Sequence, residues 1–154
     1  MPPVTSSSSS SDDTAAARLH APFRPVRGRA ISRALGVAAV VLFTGLAAFV
    51  VEQTVWDRLG FFVVGLAVMA FCEMQARVVA VPDERGLFVR NLVRRQRVEW
   101  AEVVGVSFGG GRPWVQLDLS DGDTLAVMGV QRADGERGVA EADRLATLVA
   151  LHSR

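Results

Sequence analysis

Two uncharged apolar runs stand close together near the start of this chain, and they constrain its architecture more than any other feature. Ala34–Val51 is eighteen residues long and Leu59–Cys72 is fourteen. A helix needs about 20 apolar residues to cross a bilayer core, with about 17 as the lower limit. The second run reaches this length because charged side chains at its ends can extend to the headgroups. We predict a hairpin over residues 31–76, with transmembrane helices at about 31–51 and 55–74.

Two other interpretations of these runs stay open. The first run could be a cleaved signal peptide, but more than thirty residues precede it and a second apolar run follows at once. Both features favour a retained span. The second run could be a buried amphipathic helix or a re-entrant helix, because it is short.

The charges around the runs predict an orientation. Between Thr14 and the first run there are five Arg residues and no acid, and further Arg residues follow the second run. The linker Glu52–Arg58 carries a single Arg against two acids. The positive-inside rule then predicts a multi-pass protein of the cell membrane with both termini in the cytoplasm. The residues expected at the membrane interface are Arg29, Arg33, Trp56, Arg58 and Arg77.

Residues 1–30 are predicted to be a disordered tail. The first half of the tail contains six consecutive Ser residues and almost no apolar bulk, a composition that cannot form a core. Its second half is basic, and Pro22 and Pro25 are expected to keep residues 18–33 out of a regular helix. We expect this half to act as a juxtamembrane anchor on an anionic leaflet.

Residues 77–154 show a different pattern, in which short apolar runs alternate with turn residues. Near the end, apolar residues between Val139 and Val149 fall on one helical stripe. This predicts an α+β domain, a bent antiparallel sheet of about six strands capped by a C-terminal helix. The predicted strands are Arg77–Val81, Leu87–Asn91, Arg97–Trp100, Val103–Phe108, Trp114–Leu119 and Thr124–Val130.

This order of elements resembles the pleckstrin-homology-like (PH-like) fold. More closely, the segment Arg77–Leu151 is similar to the bacterial PH-domain family typified by the actinobacterial low molecular weight protein antigen 6 proteins. The residues that carry the resemblance are Asp83–Leu87, Val89–Asn91, Arg97–Val103 and Asp121–Gly122. The resemblance implies a PH-like domain behind a two-helix membrane hairpin. It implies no activity, because fold alone does not define function.

The chain offers little for catalysis. His20, Cys72 and His152 stand in three different regions, so neither a metal site nor a nucleophile–base pair is expected. Gly109–Gly111 is not followed by Lys and Ser or Thr, so it is not a phosphate-binding loop. The net charge of +1 gives no reason to expect nucleic acid as a partner. We therefore expect a protein that is not an enzyme and that uses no cofactor or metal.

One cluster of basic residues stands out in the soluble domain. Its members are Arg90, Arg94, Arg95 and Arg97, with Arg94 and Arg95 expected at a hairpin tip. Three interpretations stay open: a solvated turn that helps set topology, a non-specific attraction to the adjacent anionic leaflet, or a specific ligand site. Trp114 is a further candidate for partner contact, because it shares a strand face with polar residues.

Two functions follow from these features. The first is a membrane-tethered, non-enzymatic binding or scaffold module that binds a protein partner near the inner leaflet. The alternative is direct sensing of anionic lipid headgroups through the basic hairpin Arg90–Arg97.

Overall fold

The computed structural model of this protein describes residues 17–49 and 54–152. These residues form two compact units. The helical unit contains residues 25–78, and the β-rich unit combines residues 17–24 with residues 79–152. The Ser-rich stretch and part of the predicted linker lie outside the described residues.

Two long apolar helices pair within the helical unit, α1 (Val26–Phe49) and α2 (Val55–Ala76). Each is long and apolar enough to cross a membrane, by length and composition. Few of their residues are buried, and large apolar groups such as Leu42 and Phe62 are exposed. In contrast, a helix in the core of a soluble protein buries its apolar stripe. Both helices are therefore candidate membrane spans.

The helix ends differ from the predicted ones at two points. α1 begins at Val26, earlier than the predicted residue 31, so the expectation that Pro25 excludes a helix from the basic segment is wrong. Proline disrupts a helix interior but is tolerated at or before its first turn. α2 begins at Val55 as predicted, behind an N-cap formed by Thr54. It ends at Ala76, slightly beyond the predicted residue 74.

Two glycines allow α1 and α2 to approach closely. A Cβ on Gly36 of α1 would lie 2.7 Å from the Met69 sulfur, and a Cβ on Gly65 of α2 would lie 3.1 Å from the Phe43 Cβ. Small residues at such contacts are typical of helix pairs in lipid, where dispersion and close backbone approach drive association.

The start of α1 and the end of α2 are joined by ion pairs. The Glu73 carboxylate accepts from Arg33 at 3.3 Å and from Arg77 at 3.5 Å.

The β-rich unit contains the six predicted strands and the predicted C-terminal helix. The strands form two antiparallel meanders of three, in the orders β1-β2-β3 and β4-β5-β6. A 3₁₀ turn at Trp100–Glu102 connects the two meanders, and another at Arg132–Asp134 leads into the helix. The elements are β1 (Val79–Pro82), β2 (Gly86–Arg90), β3 (Arg95–Glu99), β4 (Val103–Ser107), β5 (Trp114–Leu119), β6 (Thr124–Gln131) and α3 (Glu136–His152).

The core lies between the inner faces of the two meanders and α3. Strand alternation places Leu87 and Val98 opposite each other on the inner face of the first meander, and both are buried. The helix contributes Leu145 and Leu148 to the same core, while Val139 at its start is exposed, contrary to the predicted stripe. The helix therefore supplies apolar volume that two small sheets cannot supply alone.

The segment before α1 is part of this core, which the sequence did not predict. Phe23 is fully buried and pairs with Ala80 of β1 through two backbone hydrogen bonds of 2.8 and 3.0 Å. Residues 17–24 therefore do not belong to a disordered tail of residues 1–30, and the predicted boundary of the soluble domain at residue 77 is incomplete. The domain is discontinuous, with the helical hairpin inserted between its first segment and β1.

Arg144 of α3 holds this N-terminal segment in place. One of its terminal nitrogens donates to the carbonyl oxygens of Arg18, Leu19 and Ala21, at 2.7, 3.1 and 2.9 Å. Its guanidinium carbon lies 3.8 Å from the centre of the Phe23 ring, a cation–π geometry. The backbone acceptors of this segment, in which residues 17–19 are helical, are thus satisfied by a side chain.

Candidate functional site at the β2–β3 hairpin

The basic residues singled out in the sequence lie on one β-hairpin. Strands β2 and β3 are joined by a tight turn, in which the Asn91 N–H donates to the Arg94 carbonyl oxygen at 2.9 Å. Arg94 lies in this turn, as predicted, whereas Arg95 is already the first residue of β3. Arg90 ends β2 directly opposite Arg95.

Strand register brings three of the four arginines to one face. Residues opposite each other in an antiparallel pair share a face, and faces alternate along a strand. The Arg90–Arg95 pair and the Phe88–Arg97 pair therefore lie on the outer face, opposite the buried Leu87. Two like charges directly opposite each other destabilise a sheet, so the Arg90–Arg95 pair costs stability unless an anion offsets it.

Arg97 differs from the other three because it has an acidic partner. Its guanidinium is 2.5 Å from a carboxylate oxygen of Asp83. Desolvation raises the pKa of Asp83, but backbone N–H groups of Arg85 and Gly86 and the charge of Arg97 outweigh it and lower the pKa below its ordinary value. Asp83 is therefore ionised at neutral pH, and Arg97 is neutralised in an ion pair.

The remaining cations form what we call the arginine cluster, Arg90, Arg94 and Arg95. Within residues 17–49 and 54–152, no ion pair engages any of the three. Arg94 and Arg95 are exposed and Arg90 is half-buried. The cluster is thus a surface that an external anion can neutralise, and it is more compact than the predicted set of four.

The hairpin is held firmly at its base. The Asn91 side chain donates to the Ala126 carbonyl oxygen at 2.7 Å and accepts from the Met128 N–H at 3.2 Å, which ties the end of β2 to β6 of the other meander. Beyond Asn91, the tip exposes Val93. Sequence reasoning overlooked this valine, although two apolar residues inside a polar, basic turn were a visible signal.

Trp114 does not join the arginine cluster. It begins β5 in the second meander, is half-buried, and lies opposite Gln131 beside an irregularity in the β5–β6 register. The arginine cluster lies in the first meander. The two features proposed from the sequence therefore lie on different meanders of the domain.

The residues predicted at the membrane interface occupy helix ends. Arg29 and Arg33 lie near the start of α1, and Arg77 directly follows α2. Trp56 and Arg58 lie in the first turn of α2, at the other end of the hairpin. Trp56 is 80% exposed, so its ring is available for the predicted contact with a membrane interface.

The two histidines lie closer together than expected. Their rings are 6.1 Å apart, and His152 stacks on the buried Trp100 at 5.2 Å. His152 is half-buried, because the end of α3 packs against the 3₁₀ turn after β3. His152 Nδ1 bonds the Leu148 carbonyl oxygen at 2.9 Å and must therefore carry a proton. In the described part of the chain, no three His, Cys, Asp or Glu side chains are grouped to hold a metal.

Two meanders of three strands closed by a C-terminal helix define a PH-like domain. Residues 76–147 match the family model described as "Bacterial PH domain". The match covers a little under half of the chain, and it confirms the resemblance to bacterial PH domains that the sequence predicts.

Three curated relatives are similar over a longer stretch. Over 99 residues, the chain is 39% identical to "Uncharacterized protein Rv1417" of Mycobacterium tuberculosis and to "Uncharacterized protein Mb1452" of Mycobacterium bovis. The match covers 64% of this chain and 61% of each relative, so it spans less than two thirds of their length. No solved structure matches significantly.

The residues that carry the family resemblance maintain the fold. Asp83 accepts the Arg85 and Gly86 N–H groups at 2.9 and 3.1 Å and so forms the β1–β2 turn. A Cβ on Gly86 would collide with the Val98 carbonyl oxygen. The Trp100 indole N–H donates to the Asp83 carbonyl oxygen at 2.8 Å. These contacts explain the motif without any ligand, so the arginine cluster is the stronger candidate for function.

Proposed function

We propose that this protein is a membrane-tethered, non-enzymatic binding module, whose bacterial PH domain binds a protein partner beside the inner leaflet of the cell membrane. The observation that carries the proposal is the free edge of β3. This strand pairs only with β2 among the described strands, and four of its five residues are exposed. A free strand edge can accept an extended segment of another protein through backbone hydrogen bonds.

The chemistry of this edge favours an acidic partner. Arg95 lies on β3 itself, with Arg90 beside it and Arg94 before it, and charged residues also protect an edge from indiscriminate pairing. An acidic extended segment would gain both the backbone pairing and neutralisation of the arginine cluster. Complementary charge would supply specificity and a faster association rate more than raw affinity.

The test compares two charge reversals in the full-length chain. The protein is cross-linked in native membranes and purified through a tag after Arg154. Arg95→Glu should lose a stoichiometric protein partner, whereas Arg137→Glu, an exposed arginine on α3, should retain it. Equal recovery from both variants, or no stoichiometric partner from the wild type, would contradict the proposal.

The proposed topology is a multi-pass protein of the cell membrane with both termini in the cytoplasm. The Arg-rich end of the hairpin, with Arg29, Arg33 and Arg77, supports it through the positive-inside rule. The pairing of Phe23 with Ala80 adds an independent argument, because the chain before α1 and the chain after α2 belong to one folded domain and must share one side of the membrane. A reporter fused after Arg154 that is active only when exported should stay inactive. Activity would overturn the topology.

Direct contact with anionic lipid headgroups is the second candidate. The observation that favours it is that Arg90, Arg94 and Arg95 lack acidic partners in the described residues. Each Arg near an anionic leaflet contributes about 1 kcal/mol, so three contribute about 3 kcal/mol before salt screening.

Because the helices already attach the domain to the membrane, a membrane-binding assay cannot detect headgroup contact. The measurement must instead report on the hairpin itself. Amide hydrogen exchange of the full-length chain in nanodiscs should slow at the hairpin when phosphatidylglycerol is added to phosphatidylcholine. High salt, or Arg94→Glu with Arg95→Glu, should remove the effect. Hydrogen exchange at the hairpin that does not depend on lipid charge would refute this candidate.

A further inference from the structure

The tip of the β2–β3 hairpin exposes apolar surface. Val93 is 82% exposed, more than any other large apolar side chain described in residues 79–152. Leu92 beside it is half-buried. Single exposed apolar residues are common on protein surfaces, so the exposure of Val93 needs the support of its surroundings before it indicates a site.

Those surroundings are cationic and firmly held. The arginine cluster surrounds the tip, with Arg94 in the turn and the Arg90–Arg95 pair at its base. Asn91 fixes the base through its backbone bond to Arg94 and its side-chain bonds to β6. An apolar tip surrounded by the arginine cluster is chemically complementary to the boundary of an anionic bilayer, where acyl chains lie just beneath phosphate groups.

Strand register places this tip at the end of the first meander where β1 begins. Arg90 lies opposite Val79, the first residue of β1, and only Arg77 and Val78 separate Val79 from the end of α2. Neighbouring strands are about 4.8 Å apart, so Arg95 on β3 is about 10 Å from Val79. Two intervening residues span at most about 10 Å between Ala76 and Val79. A chain that leaves a bilayer at the end of α2 therefore enters the domain at the same end of the first meander as the tip.

We propose that the hairpin tip, Leu92 and Val93, inserts into the boundary between headgroups and acyl chains of the inner leaflet. Insertion by about 5–10 Å is typical of interfacial apolar groups. The arginine cluster then contacts lipid phosphates, as in the second candidate function, and not an acidic protein segment. This inference rests on the proposed placement of the domain beside that leaflet, and it adds a second attachment point beyond the two helices.

The test uses the full-length chain in nanodiscs with Cys72 replaced by Ala. An environment-sensitive fluorophore is attached to Val93→Cys or, as a matched control, to Val104→Cys. Val104 is a valine of β4 that is 67% exposed. Lipids with a nitroxide on the acyl chain should quench the Val93→Cys probe several-fold more than the control probe, and aqueous iodide should quench it less. Equal quenching at the two positions overturns the insertion.

A second experiment avoids the label and tests the native valine. Hydrogen exchange at residues 91–95 of the unlabelled chain in phosphatidylglycerol-containing nanodiscs should accelerate several-fold in Val93→Ser and remain unchanged in Val104→Ser. No change in either variant overturns the role of Val93. A reporter showing export of the C-terminus would instead overturn the proposed topology, so the two failures can be told apart.

Discussion

Phe23→Ala tests whether the segment before α1 belongs to the PH-like domain. Phe23 is fully buried, and truncation of such a side chain costs about 3–5 kcal/mol through lost transfer energy and the cavity left behind. Arg144 also loses its cation–π partner. Domains of this size have a free energy of unfolding of about 5–15 kcal/mol, so the substitution should remove a large part of it.

Amide hydrogen exchange of the full-length chain measures this loss directly. A loss of 3 kcal/mol raises the population of the open domain by about 100-fold, because 1.4 kcal/mol is a factor of ten. Peptides from β1 and β6, which lie near Phe23, should lose protection to that extent. Arg24→Ala is the control, since Arg24 is the exposed neighbour of Phe23 and should change nothing. Wild-type protection in Phe23→Ala would refute the reasoning.

A deletion gives an independent measure of the same prediction. Phe23 and Ala80 form a hydrogen-bonded antiparallel pair, so removing residues 25–78 leaves only Arg24 and Val79 between them. Replacing those two residues with Asn-Gly creates the loop that a type I′ hairpin favours. This shortened protein should be soluble and fold cooperatively. A fragment that begins at residue 77 should be less stable, since it lacks Phe23.

Three other substitutions test separate contacts within the domain. Gly86→Ala should lower the thermal midpoint strongly because its Cβ collides with backbone, whereas Gly105→Ala, whose Cβ would meet a side-chain oxygen of Asp118 at 3.0 Å, should lower it less. Asn91→Ala should lower the free energy of unfolding by about 1–3 kcal/mol for each backbone group of β6 that loses its partner, as measured by denaturant titration. An unchanged midpoint would contradict the proposed connection between the two meanders. Asp83 has a lowered pKa in the folded state, so its stabilisation is complete above about pH 3.9 and is lost as pH falls through the folded pKa. Asp83→Asn should therefore flatten the acid side of the stability profile, and an unaltered slope would argue against the ion pair.

The elements themselves follow from local patterns in the sequence. The apolar runs predict α1 and α2, and alternation predicts β5 with its observed bounds, Trp114–Leu119. The other strands differ from prediction by about one or two residues, which is the usual uncertainty of element ends. These features depend on neighbours in sequence, so a single chain contains the information to predict them.

The candidate site was only partly predictable. Four arginines close together in sequence predict a basic hairpin, but they do not reveal that Arg97 is paired with Asp83. The same stretch does not reveal that Arg90 and Arg95 lie opposite each other without an acid. Register and long-range ion pairs distinguish chemically identical side chains, and neither is visible in local composition.

The sequence alone determined that the chain has two long apolar helices followed by six strands and a helix, because periodicity and length are local properties. Only the tertiary structure decided that residues 17–24 complete the PH-like domain. The pairing of Phe23 with Ala80 and the contacts of Arg144 with residues 18–23 join positions far apart in the chain, and no periodic pattern in the sequence predicts them. Burial of the Phe23 side chain contributes about 1.5–3 kcal/mol, which by itself does not offset the loss of about 1–2 kcal/mol of backbone freedom for each ordered residue. The hydrogen bonds to Ala80 and from Arg144 add to that burial, and all three kinds of contact come from parts of the chain far away in sequence.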